Sequence, residues 1–236
     1  MTREFEIAKE VELDATPRQV WEAITTAEGT AGWLFTTEDV QPDGPGVITW
    51  DPPRRLAVQT PVADDGSTQA FEYLIEARDG GTAVLRFVHS GVLGDNWNDE
   101  YEDMMGAGWD MYLHTLAEYL KYFSGRQATF VTVEGPAASA EESAWAKLPR
   151  ALGLPGTPAV GEKVRLTPEG FPPIEGVVDY TGPSFLGVRA DDAIYRFHGR
   201  SQLGAPVAIG HHLYRPGVDQ EKERDTWRSW LERAFA

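Results

Sequence analysis

The chain has 236 residues, 42% apolar and 25% charged, which places it among soluble globular proteins of one large or two small domains. It contains no cysteine, so disulfides, thiolate metal sites, iron–sulfur clusters and cysteine nucleophiles are excluded. A net charge of −16 repels polyanions, which argues against nucleic acid and membranes as partners.

No apolar run reaches the ~18 residues of a membrane span, and the N-terminus has no apolar core of the signal-peptide kind. The expected location is therefore cytoplasmic, which the lack of cysteine fits. The charge is uneven: residues 1–125 carry 8 basic and 23 acidic side chains, net −15, and residues 126–236 carry 13 and 14, net −1. Solubility is the plain reading, and different partners for the two halves the sharper one.

Residues 5–13 alternate Phe5, Ile7, Val11 and Leu13 against Glu4, Glu6, Glu10 and Glu12, with Lys9 the exception on the apolar face. That period of two predicts a strand with one wet side. Thr16 and Pro17 then fit an N-cap and a first helical position, and Val20, Trp21 and Ile24 share the helix face that follows. A short helical piece over 27–34 precedes a Pro/Gly-rich turn at 42–46. Strands are expected over 47–50, 55–60, 70–78 and 82–90, with Asp79-Gly80-Gly81 turning the last pair. Phe71, Tyr73 and Ile75 fall on one face of the third, and Leu85, Phe87 and His89 on one face of the fourth.

A long helix is expected over 99–123, where Met105, Trp109, Tyr112, Leu116, Leu120 and Phe123 recur at three- and four-residue steps. Asp99, Glu100, Glu102 and Asp103 sit in its first turn, where negative charge suits the dipole, and Gly125 closes it. Consecutive strands bracketed by helices make an α+β layout.

The pattern then restarts. Residues 128–134 are strand-like, and Ala138 to Leu148 around Trp145 resembles Ala15 to Ile24 around Trp21. Short strands follow at 164–166, 175–180, 185–190, 193–198 and 207–214, then a helix over 221–235. Trp227-Arg-Ser-Trp230-Leu231 matches Trp109-Asp-Met-Tyr112-Leu113, 82 residues after Trp145 where the first copy has 88 after Trp21. Two tandem copies of one fold are expected, 1–125 and an eroded 126–236.

The opening strand with Ala15-Thr16-Pro17-Arg18-Gln19-Val20-Trp21 resembles the start of START-like (SRPBCC, Bet v 1-like, helix-grip) domains. Asp51-Pro52-Pro53-Arg54-Arg55-Leu56, Gly80-Gly81-Thr82, Val88-His89-Ser90-Gly91 and the Gly108-Trp109 helix resemble the subgroup named for the activator of Hsp90 ATPase homologue 1. The resemblance covers 3–123 well and the second half as a degenerate echo. It implies a curved antiparallel sheet gripping a long C-terminal helix, with an apolar cavity between them that relatives use for lipids, polyketides or hormones. The stretch 35–48 is short for the family's second and third strands.

In such a grip Met105, Trp109, Tyr112 and Leu116 face Phe71, Tyr73, Phe87 and His89, an aromatic-rich interior with few polar groups. These eight are the candidate ligand-binding residues; the same composition also suits a solid core. A lone inward His89 is more often a core residue than a base, and no Ser or Cys near it in sequence forms an evident nucleophile pair. Strand parity sends His211 inward and His212 outward, which disfavours a chelate; His114 and His198 read as surface positions, the latter beside Arg196 on a wet face. The acidic stretch 95–103 lacks the glycine and terminal glutamate of an EF-hand loop. Asp51 and Glu72 are paired carboxylates only if the fold brings them together. No metal or organic cofactor is expected.

The expected function is non-enzymatic binding of a small hydrophobic or aromatic molecule by residues 1–125. One alternative is a protein-interaction module of Hsp90-activator type whose acidic half docks on a basic partner. The other is a cyclase- or hydrolase-type enzyme using His89 or Tyr112 as acid–base group.

Overall fold

The computed structural model describes residues 3–94 and 101–236, in two compact units, Met1–Arg126 and Gln127–Ala236. In the first, β1 (Arg3–Leu13) leads into α1 (Pro17–Thr25) and α2 (Ala27–Ala31). The strands β2 (Val47–Asp51), β3 (Arg55–Gln59), β4 (Thr68–Ala77) and β5 (Ala83–Leu93) follow, then α3 (Tyr101–Tyr122). The sheet is antiparallel in the order β1-β5-β4-β3-β2, so the first and last strands pair and the hairpins fan out from them.

Local chemistry fixes these elements. The Thr16 side chain accepts the Gln19 N–H while the Gln19 side chain accepts the Thr16 N–H at 2.9 Å, a reciprocal cap on α1 that also carries Pro17 at its start. Gly80 and Gly81 both adopt positive φ in the β4–β5 turn, a conformation L side chains resist. Phe5, Ile7 and Leu13 of β1 are buried as the alternation predicts, and Lys9 reaches Asp110 of α3 at 2.7 Å, which explains a charge on the apolar face. Leu113, Leu116 and Leu120 are buried along α3, and Phe123 just after its end. Gly32 sits so close to the Tyr119 ring that an added Cβ would lie 2.5 Å from it, so this glycine lets the chain just after α2 approach α3.

The second unit repeats the connectivity. After β6 (Thr129–Glu134) come two 3₁₀ turns and α4 (Leu148–Ala151). The strands β7 (Lys163–Leu166), β8 (Ile174–Gly182), β9 (Phe185–Arg189), β10 (Ala193–His198) and β11 (Ala208–Leu213) lead to α5 (Gln220–Ala234). Their order is β6-β11-β10-β9-β8-β7, again first strand against last, with one strand more than the first unit. Both units are thus α+β with a closing helix, the tandem arrangement of a helix-grip fold.

Two details differ from the sequence reading. Around Ser139 and Trp145 the chain forms 3₁₀ turns rather than one α-helix. The Ser139 hydroxyl donates to the Pro136 carbonyl and accepts the Val207 N–H, tying the turn to the approach of β11. The larger correction concerns β10 and β11, whose residues are buried on both faces. Arg196 and His198, expected at the surface, are 1% and 9% exposed. The Arg196 guanidinium makes two hydrogen bonds to the Asp179 carboxylate, at 3.0 and 2.5 Å, and Gly187 makes room for it: a Cβ there would stand 2.5 Å from Nη1. A charge marks a wet face only when no buried partner is waiting for it.

Candidate functional site

Register brings the predicted aromatic residues together. Phe71 of β4 lies opposite His89 of β5, and Tyr73 opposite Phe87, so the four form two cross-strand pairs on the face that α3 covers. Phe71 and His89 stack with centroids 4.5 Å apart, and Tyr73 and Phe87 are 5.1 Å apart. From α3, Trp109 enters this group 4.2 Å from Phe87 and 6.1 Å from Phe71, with Tyr112 6.0 Å beyond it.

His89 is the polar centre. Its Nδ1 accepts the Trp109 indole N–H at 3.0 Å, and Nε2 lies 3.2 Å from Gln69 Oε1. An Nδ1 that accepts leaves the proton on Nε2, which donates to the amide oxygen; both ring nitrogens are occupied and the tautomer is fixed. Burial pushes its pKa down to about 4, so the ring is neutral at pH 7. His89 therefore fastens helix to sheet, and the geometry gives it no free nitrogen for acid–base work. Burial likewise pushes the Tyr73 phenol well up.

The eight candidate residues divide by accessibility. Phe87, His89 and Leu116 present no surface, and Tyr73 and Trp109 almost none, so these five back the site. Phe71, Met105 and Tyr112 are half-buried and keep part of their surface accessible. Gln69, which orients His89 from the neighbouring register position, escaped the sequence reading because a lone glutamine in a strand carries no periodic signal.

The second unit holds an equivalent constellation. His211 of β11 stands opposite Val131 of the first strand as His89 stands opposite Ile7, and Trp227 of α5 takes the place of Trp109. Tyr195 and Phe197 of β10 lie 5.0 and 5.1 Å from the His211 ring. Here the pair is not hydrogen-bonded: the rings meet edge-on at 4.5 Å, His211 Nδ1 accepts the Arg196 backbone N–H, and His211 Nε2 and Trp227 Nε1 are buried without a partner.

Other candidates separate. Asp51 pairs with Arg54 and Glu72 with Arg55, so each carboxylate is engaged by an arginine. His212 packs on Phe130, and His198 on Phe185. His114 is half-buried. Residues 95–100 of the acidic stretch lie outside the described residues; Glu102 beyond them reaches Arg3 at 3.5 Å. Among the described residues no three His, Asp or Glu side chains converge to hold a metal ion, and no helix is long and apolar enough to cross a membrane.

Residues 14–121 match the family model described as activator of Hsp90 ATPase homolog 1-like protein. No curated protein matches the chain. Among solved structures, it is similar to DynU16 of the dynemicin biosynthetic locus, 16% identical over 98% of this chain and 95% of that one, TM-score 0.42. It is also similar to the Aha1 dimer from Colwellia psychrerythraea, 17% identical over 51% of this chain and 99% of that one, TM-score 0.39. A third likeness is to protein MLL2253 from Mesorhizobium loti, 16% identical over 50% and 98%, TM-score 0.42.

Proposed function

We propose that the first unit, whose residues 14–121 match the activator of Hsp90 ATPase homolog 1-like family, binds a small hydrophobic or aromatic molecule. The supporting observation is that Phe71 and Tyr112, half-buried, pack with the buried rings of Phe87, His89 and Trp109. A flat apolar ligand gains by covering exposed aromatic area, and the buried rings' fixed rotamers lower the ordering cost of binding. The reading gives His89 no acid–base part, since the ring is neutral with both nitrogens engaged.

Thermal-shift measurements on the full chain with fatty acids, polyketides and flavonoids test this. A ligand at ten times its Kd is expected to raise the midpoint by roughly 3–6 °C. Phe71→Ala and Tyr112→Ala should each abolish the shift while leaving the fold intact. A panel with no shift, or a shift that survives both substitutions, refutes the reading. The second reading, docking on a basic protein, draws on the net −15 of residues 1–125. It predicts capture that fades between low and high salt, whereas ligand binding on an aromatic face is nearly salt-insensitive.

A further inference from the structure

We propose that the second unit carries its own binding site, independent of the first, for a small organic cation with an aromatic or N-alkyl body. The site is a cavity of about 600 Å³ between the sheet and the first turns of α5, a size typical of small-molecule pockets. Three rings wall it. Phe171 and Trp227 have centroids 4.2 Å apart, and Tyr195 lies 6.3 Å from Trp227.

The charged lining is mainly acidic: Glu175, Asp191, Asp192 and Glu223 stand against one guanidinium, Arg215, and Glu175 is ion-paired with Arg165 at 3.0 Å. Arg215 is already engaged, ion-paired with Glu223. Pro172 and Pro173 line the same wall and have no backbone N–H to offer an anion. A negative field beside the half-buried Phe171 ring, backed by the buried Trp227 and Tyr195, favours an ammonium group carried on an apolar body, and disfavours carboxylates and phosphates.

Calorimetric titration of the full chain with 2-phenylethylammonium, 2-phenylethanol and 3-phenylpropionate separates charge from shape. The cation should bind most tightly and the anion least. The double variant Asp191→Asn/Asp192→Asn, which leaves the Arg215–Glu223 pair in place, should weaken the cation by about tenfold and leave the alcohol unchanged. Glu223→Gln should weaken the cation and improve the anion, because Arg215 is released. The proposal is overturned if the anion binds as well as the cation, if none of the three binds, or if the cation is indifferent to both acidic-residue variants. It is also overturned if cation binding is lost in Phe71→Ala, which would place the ligand in the first unit. Failure of hydrophobic ligands at Phe71 and Tyr112 leaves these outcomes untouched.

Discussion

In the first unit Arg86 lies at the surface, 44% exposed, shared between Glu10 at 2.8 Å and Glu76. In the second unit Arg196, 1% exposed, is sealed against Asp179. Both are arginine–carboxylate clusters on antiparallel sheets of the same connectivity, and they differ in solvation. At the surface, water competes for every charge and the side chains lose entropy to pair, so the cluster contributes little. In the interior neither ion can be removed alone, because its partner is left charged without water. The second unit thus spends sequence on a polar interior, while the first keeps its charge outside.

The largest effect should therefore come from cutting the buried pair on one side. Arg196→Leu is expected to cost about 3–5 kcal/mol, read from urea unfolding midpoints. Replacing both partners, Arg196→Met with Asp179→Leu, should recover most of that loss, since no orphaned charge remains. Arg86→Leu should move the midpoint little, and only at low salt. Equal costs for the two single substitutions would break the contrast between the units.

Acid should act on both units, and more strongly on the second. Burial pushes His89 down to about 4 and His198 to about 3, and lowers His211 well below its ordinary value. In each case the unfolded chain, with a histidine pKa near 6.5, takes up the proton before the folded one does. Stability is thus full above about pH 6.5 and declines as pH falls toward 4 for His89 and toward 3 for His198. Hydrogen exchange followed by mass spectrometry, corrected for intrinsic rates, resolves the two halves. Peptides from β10 and β11 should lose protection at a higher pH than those from β4 and β5. A first unit that fails before the second would invert this reading.

The sequence was most legible where a repeat of two or 3.6 coincided with one wet face. The alternation in β1, the cap at Thr16 and Pro17, the Gly80-Gly81 turn and the apolar stripe of α3 all follow from that coincidence. The grouping of Phe71, Tyr73, Phe87, His89 and Trp109 was legible because hairpin register follows from the turn. Legibility failed where both strand faces are buried: in β10 and β11 the pattern cannot tell a wet arginine from one aimed at Asp179. It also failed at Gln69 and at the cavity by Arg215, which gather residues from loops, strands and a helix whose proximity only the folded chain creates.

The smallest expected effect is also the sharpest comparison of the two copies. Trp109→Phe and Trp227→Phe remove the same ring volume from equivalent buried positions on α3 and α5. Trp109 donates to His89, so the phenylalanine leaves a buried imidazole nitrogen without its donor. Trp227 donates to nothing, and its replacement removes an indole N–H that the interior leaves unsatisfied. Packing losses should therefore cancel between the variants, and Trp109→Phe should be the costlier by about 1 kcal/mol. Exchange protection in the unit carrying each substitution measures the difference. If Trp227→Phe proves the costlier, the indole N–H has a partner in solution, and the second unit's histidine and tryptophan are coupled as closely as the first's.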